Sequence, residues 1–160
     1  MQYYKDTKNN PFVFEDNVTS EIIAKVEATH KTTLTKITLT QYKAMIAPTF
    51  AELQTAKIQE LYASYNKANE TDIAYMNTTF QADNKSQNLI AQNLSIGTVP
   101  KGFYWKDKSN NKVPMTYAEL QGLGLAIQDR GMINFNKLDG LKAQVKTATT
   151  KTALNKIKWS

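Results

Sequence analysis

The chain contains no cysteine. Disulfides, thiolate metal sites and cysteine nucleophiles are therefore excluded from any account of its stability or chemistry. Histidine and arginine occur once each, as His30 and Arg130. His30 lies in the polar stretch Ala28-Thr29-His30-Lys31-Thr32. No carboxylate in that stretch can orient an imidazole base, so it reads as a solvated surface residue. Base-edge readout and bidentate phosphate contacts favour arginine, and a chain whose other basic residues are all lysine is poorly equipped for specific nucleic-acid binding. No apolar run approaches the about 18 residues that a membrane span needs. The opening Met1–Asp6 has no apolar core of the kind that marks a secretion signal. The reading therefore expects no membrane partner and no cleaved leader.

What is present is 160 residues, 41% hydrophobic and 21% charged, enough for one ordinary domain or two small modules with a sizeable core. The net charge of +6 is uneven. Residues 1–80 hold 8 lysines and 9 acids, whereas residues 81–160 hold 11 lysines and Arg130 against 5 acids. A basic second half suits nucleic acid or an acidic protein partner.

Tyr3-Tyr4-Lys5 and Phe12-Val13-Phe14 flank the turn-forming Asp6–Pro11, which predicts a hairpin with a loop longer than two residues. Ile22, Ile23 and Val26 share one helical face, and Thr32–Thr38 reads as a strand. Thr40 is the expected cap of a short helix stopped by Pro48. Thr49 with Glu52 forms a capping-box pattern ahead of a longer helix carrying Phe50, Leu53, Ile58, Leu61, Tyr62 and Tyr65. Tyr75–Ala82 reads as a single extended segment. Asp83 or Asn84 then caps a helix carrying Leu89, Ile90 and Leu94. Phe103–Lys106 and Lys112–Met115 bracket a second aromatic hairpin, with Phe103 and Trp105 on one face and Tyr104 on the other. Thr116 and Glu119 open the longest helix, spanning roughly 116–147. Its stripe is Leu120, Leu123, Ile127, Phe135, Leu138, Leu141 and Val145, with a kink or a close backbone approach expected at Gly131. Thr150 starts a last short helix, and Trp159 folds back onto an apolar surface. The fold class read from this pattern is α+β, helix-dominated, with two small β-hairpin elements and several helices. The two modules are residues 1–70 and 71–160.

Chemistry is sparse. Glu15-Asp16 adjoins a turn, and Asp129 and Asp139 share a helix with Arg130 and Lys137, as solvated or salt-bridged surface does. Gly122-Leu123-Gly124 sits inside a helical stripe and lacks the lysine of a phosphate loop. Asp107–Asn111 offers oxygen ligands without the glycine and closing glutamate of a calcium loop, and reads as a hairpin turn. With no base–nucleophile pair, the reading is of a protein without enzymatic activity, cofactor or metal. Phe103-Tyr104-Trp105 among Lys101, Lys106, Lys108 and Lys112 has the make-up of an aromatic and basic platform. Core packing against the long helix is favoured for it, with protein contact next.

One further pattern lies in Ile73-Ala74-Tyr75-Met76, Thr78–Asp83, Ser86-Gln87, the Phe103–Trp105 and Val113–Thr116 hairpin, Leu138–Val145, Ala148-Thr149-Thr150 and a late Trp159. Over residues 72–159 this resembles the C-terminal domain of a family of phage tail proteins, the tail fibre assembly proteins or tail fibre chaperones. The opening Tyr3–Asp6 and Asn10–Asp16 is similar to the start of such chaperones, while residues 17–47 match nothing. The resemblance implies a non-catalytic chaperone that binds a trimeric phage tail fibre protein and assists its folding or trimerisation. It implies action in the host bacterial cytoplasm during assembly, or retention in the virion tail. Tyr3, Tyr4, Phe12, Phe14, Tyr104 and Trp105 are the candidate partner-binding residues. The alternatives are a permanent structural or adhesive tip component of the tail and, from another class, a basic nucleic-acid-binding regulator.

Overall fold

A computed structural model describes all of residues 1–160 as a helix-dominated α+β chain of six helices and three small antiparallel sheets. It divides into two compact units, Met1–Thr49 and Phe50–Ser160.

In the first unit, β1 (Gln2–Lys5) and β2 (Pro11–Phe14) form the expected aromatic hairpin. The third strand, β3 (Thr35–Ile37), pairs antiparallel with β1, giving the order β2-β1-β3. Two helices accompany the sheet: α1 (Ser20–His30) and α2 (Leu39–Ile46). The stretch 17–47, which matched nothing in sequence, thus supplies α1, β3 and α2. The Thr19 hydroxyl caps α1, accepting from Ile22 N. The cap of α2 is Thr38, two residues before the one expected, with Gln41 closing a reciprocal capping box. Only Tyr4, Asp6, Leu34 and Ile37 are buried here. Ile22 stays exposed, while Ile23 and Val26 are half-buried.

The second unit is built on α5 (Tyr117–Thr147), begun by the Thr116–Glu119 capping box. Helix α3 (Phe50–Asn69) runs antiparallel along it, with Gln54 donating to the Val145 carbonyl at one end and Asn134 donating to the Asn69 side chain at the other. Leu61 of α3 meets Leu138 and Val145, and the short α6 (Lys151–Lys156) closes this cluster with Leu154, Ile157 and the nearby Trp159. Tyr65 meets Trp159 edge-on at 6.2 Å. Helix α3 therefore packs with the C-terminal residues, not with the N-terminal module to which the sequence reading assigned it. The reason is its Leu53–Ile58–Leu61–Tyr65 face, which fits the α5 stripe.

A second cluster lies along the first half of α5, where Leu120 and Leu123 meet Phe80, Ile90 and Met115. Ile90 comes from α4 (Asn84–Ser95), capped by Asp83. Phe80 ends the hairpin β4–β5 (Ile73–Tyr75 and Thr78–Phe80), and Met115 directly follows the hairpin β6–β7 (Tyr104–Lys106 and Lys112–Pro114). The segment Tyr75–Ala82 is thus not one extended run. It reverses at Met76-Asn77, both at positive φ (50° and 57°). A two-residue hairpin turn needs that conformation, but methionine gives no sign of it in sequence.

Three side chains of the expected helical stripes face outward. Leu89 and Phe135 are exposed, and Tyr62 of α3 is only partly covered. Arg130 and Asn134 occupy the inner face where Phe135 was expected, because the run 127, 130, 134, 138 follows the helical period more closely than 127, 135, 138. Helix α5 runs unbroken through Gly131, around which there is open space. The close approach is at Gly122, where a Cβ atom would lie 1.9 Å from the Tyr75 hydroxyl oxygen and 2.7 Å from the ring carbon bearing it.

Gly122→Ala is therefore expected to displace the Tyr75 ring and lower stability by about 1–3 kcal/mol in urea unfolding. In the Tyr75→Leu background the same substitution should cost clearly less, so a double-mutant cycle gives a non-zero coupling. Additive costs would contradict the packing described.

Candidate functional site

The candidate partner-binding residues lie on the two aromatic hairpins, one in each unit. Both hairpins are built on one local design: Lys5-Asp6-Thr7-Lys8-Asn9-Asn10 and Lys106-Asp107-Lys108-Ser109-Asn110-Asn111. In the first, Asp6 Oδ1 accepts from the backbone of Lys8 (2.8 Å) and Asn10 (2.7 Å), while Oδ2 accepts from the Asn10 side chain (2.7 Å). In the second, Asp107 Oδ1 accepts from the backbone of Ser109 and Asn111 (2.8 Å each), and Oδ2 from the Asn111 side chain (2.9 Å). Asn9 and Asn110 hold the left-handed position of each loop, at φ 64° and 65°, a conformation that asparagine tolerates better than most residues. Hydrogen bonds from Asn10, side chain first, hold the Asp6 carboxyl below its ordinary range, against the opposing pull of desolvation. Asn111 does the same for Asp107.

The strand residues beside these loops differ in exposure. Tyr4 is buried and meets Phe14 edge-on at 5.5 Å. Tyr3 is half-buried, 4.8 Å from the Tyr42 ring of α2. Phe12 is half-buried against His30 at 5.6 Å. All four aromatics of the first hairpin are thus engaged within their own unit. In the second hairpin, Trp105 turns inward toward Phe103 (6.3 Å) and the cluster on α5. Tyr104 turns outward, as strand alternation requires. It is 41% exposed, and Lys112 Nζ lies 4.6 Å from its ring centroid. Lys108 pairs with Asp72 at 2.6 Å and its backbone N–H donates to the Thr79 carbonyl, so this loop is tied to the β4–β5 hairpin.

Elsewhere the polar groups are structural. The Arg130 guanidinium donates to the carbonyls of Asn69 and Thr71, capping the C-terminus of α3, and burial pulls its pKa down. Gln87 adds donors to the carbonyls of Asn69 (2.8 Å) and Ala82 (2.7 Å). His30 is exposed at the end of α1. No group of three His, Asp or Glu side chains is placed to hold a metal ion, and no helix is long and apolar enough to cross a membrane. A groove of about 610 Å³ between α4 and α5 is lined by Ile90, Leu94, Gln121, Leu125 and Gln128 among others, and no charged residue lines it. The groove leaves no signal in the sequence, because it forms only where α4 and α5 meet.

The fold and these surfaces describe a small helix-dominated protein with hairpin and groove surfaces. Residues 52–158, nearly the whole second unit, match the family described as Domain of unknown function (DUF4376). The chain belongs to that family. No curated protein and no solved structure matches it.

The depressed carboxyl pKa values set a pH dependence. A group whose pKa is lower folded than unfolded contributes stability above its unfolded pKa, and that contribution disappears as pH falls through the folded value. The urea midpoint should therefore drop on acidification from about pH 5 toward pH 2. Asp6→Asn with Asp107→Asn should lower the midpoint at neutral pH and flatten this acid slope. An unchanged slope in the double variant would contradict the hairpin account.

Proposed function

We propose that this protein is a non-catalytic assembly factor for a phage tail fibre, binding the trimeric fibre protein and assisting its folding or trimerisation. The observation that carries the reading is the β6–β7 hairpin. It packs a partly buried Trp105 against the cluster on α5 and leaves Tyr104 at the surface beside Lys112. An exposed tyrosine with a lysine over its ring is suited to the edge of a protein partner with acidic and apolar character. A fibre tip before trimerisation exposes unpaired strand edges and uncovered apolar side chains. The resemblance over residues 72–159 supports the same reading. The matching place of action is the host bacterial cytoplasm during assembly.

The first hairpin, with Tyr3, Tyr4, Phe12 and Phe14 packed within their own unit, supports that function as a rigid frame. Its outer face presents Val13, which is exposed on the edge strand β2. Pro11 starts that strand and removes one donor from its free edge, which limits open-ended strand addition.

Co-expression with a long phage tail fibre protein tests this directly. Soluble trimeric fibre should form only when this protein is present. Tyr104→Ala with Lys112→Ala should cut its yield roughly ten-fold, the scale of losing one contact of about 1.4 kcal/mol. Fibre that trimerises equally well alone would overturn the proposal. Recovery of the chain at fixed copy number in purified virions would replace it with the structural-component reading.

A further inference from the structure

A polar cavity lies where the last turns of α3, the first turn of α4 and the middle of α5 meet. Its volume is about 570 Å³, within the roughly 300–1,000 Å³ that small-molecule sites occupy. The polar lining is mostly amide: Asn66 and Asn69 from α3, Asn84 and Gln87 from α4, and Gln128 from α5. Much of their hydrogen-bonding capacity is unused by the protein. Asn66 and Gln128 make no side-chain hydrogen bond. Gln87 donates to the Asn69 and Ala82 carbonyls and keeps its own side-chain oxygen free. Asn84 donates to Glu70 and likewise keeps its oxygen, whereas Asn69 accepts from Asn134 and keeps its amide hydrogens.

Water satisfies such groups on any protein surface, and Gly131 is what distinguishes this one. It forms part of the cavity wall in the middle of α5. Glycine weakens a helix interior relative to alanine, yet Gly131 has no positive φ to require it, and a Cβ there would meet no atom within 4 Å. Nothing in the packing of the chain needs a glycine at this point. A side chain there would fill the cavity instead.

We propose that this cavity binds a neutral hexopyranose. Charge excludes an anionic ligand: Arg130 commits its guanidinium to the Asn69 and Thr71 carbonyls, which leaves the Glu70 carboxylate as the other charge on the lining. A sugar hydroxyl both donates and accepts, and a side-chain amide answers it in both senses. The free groups stand on three helices around the cavity, as hydroxyls on several sides of a ring require. A flat base would instead present its polar atoms in one plane. Phe135, 48% exposed on the lining, adds an apolar ring for the carbon face of the sugar.

Nuclear magnetic resonance titration of the isotope-labelled full chain tests the inference. The probes are glucose, galactose, mannose and N-acetylglucosamine, each also as its methyl glycoside. At least one should shift the side-chain amide signals of Asn66 and Gln128, with a Kd of about 1 mM. A methyl glycoside that binds like its parent identifies a sugar within a glycan, and binding of the parent alone identifies the free sugar; both support the site. Gly131→Leu should abolish the shifts while the melting temperature holds or rises. Gly140→Leu, also in open space on α5 but off the lining, should bind as the wild type does. Gln128→Ala should weaken binding about five-fold, the scale of one hydrogen bond. No shift with any probe up to about 50 mM would overturn the inference. So would shifts that persist unchanged in Gly131→Leu.

Discussion

The second unit depends on one contact: the inner face of α5 against everything that surrounds it. Leu120 and Leu123 at one end and Leu138 and Val145 at the other anchor two separate apolar clusters. No other element reaches both. Between them the face turns polar, with Arg130 and Asn134 fastened to the last turn of α3. That polar girdle satisfies the carbonyls that a helix end leaves without partners. It also fixes where α3 stops and the chain turns toward β4. A 31-residue helix thus acts as a shared wall, and the hairpins are placed by what they bury against it.

Much of this was legible in the sequence where local chemistry decides the structure. Thr116 with Glu119, Asp83 and Thr150 all cap helices as read, because an N-cap needs only a side-chain oxygen and the three amides that follow it. The two aspartate-led loops were visible as hairpin turns for the same reason. What could not be read depends on the rest of the chain. The Met76-Asn77 reversal is imposed by packing of Ile73, Tyr75 and Phe80, since methionine has no preference for a left-handed turn. Phe135 looked like core by hydrophobicity, but the helical period gives the inner positions to Arg130 and Asn134, whose partners lie more than 50 residues away in sequence. Helix α3 was assigned to the wrong neighbours because its apolar face does not reveal which stripe it will meet.

For the candidate surfaces, alternation along the strands correctly separated Tyr104 from Trp105, but it could not say that Tyr3 and Phe12 would each find a ring within their own unit. A docking surface of the kind proposed leaves little residue-level signature. Its features are distributed: an aromatic beside a lysine, an uncharged groove. The repeated aspartate loop is the exception. It gives both units a hairpin of the same loop length and hydrogen-bond pattern, and a preorganised hairpin loses less freedom on binding than an unstructured loop does.

The central physical claim is that α5 makes the two clusters of the second unit one cooperative structure. The chain carries a tryptophan in each, Trp105 in the cluster on the first half of α5 and Trp159 in the cluster on the second. Urea unfolding of full-length Trp105→Phe and Trp159→Phe, followed by the fluorescence of the remaining tryptophan and by the far-UV circular dichroism of the same samples, reads each cluster against the helices as a whole. The account predicts that in each variant the fluorescence transition coincides with the loss of helix. A tryptophan signal that is lost well before or after the helical signal would contradict it.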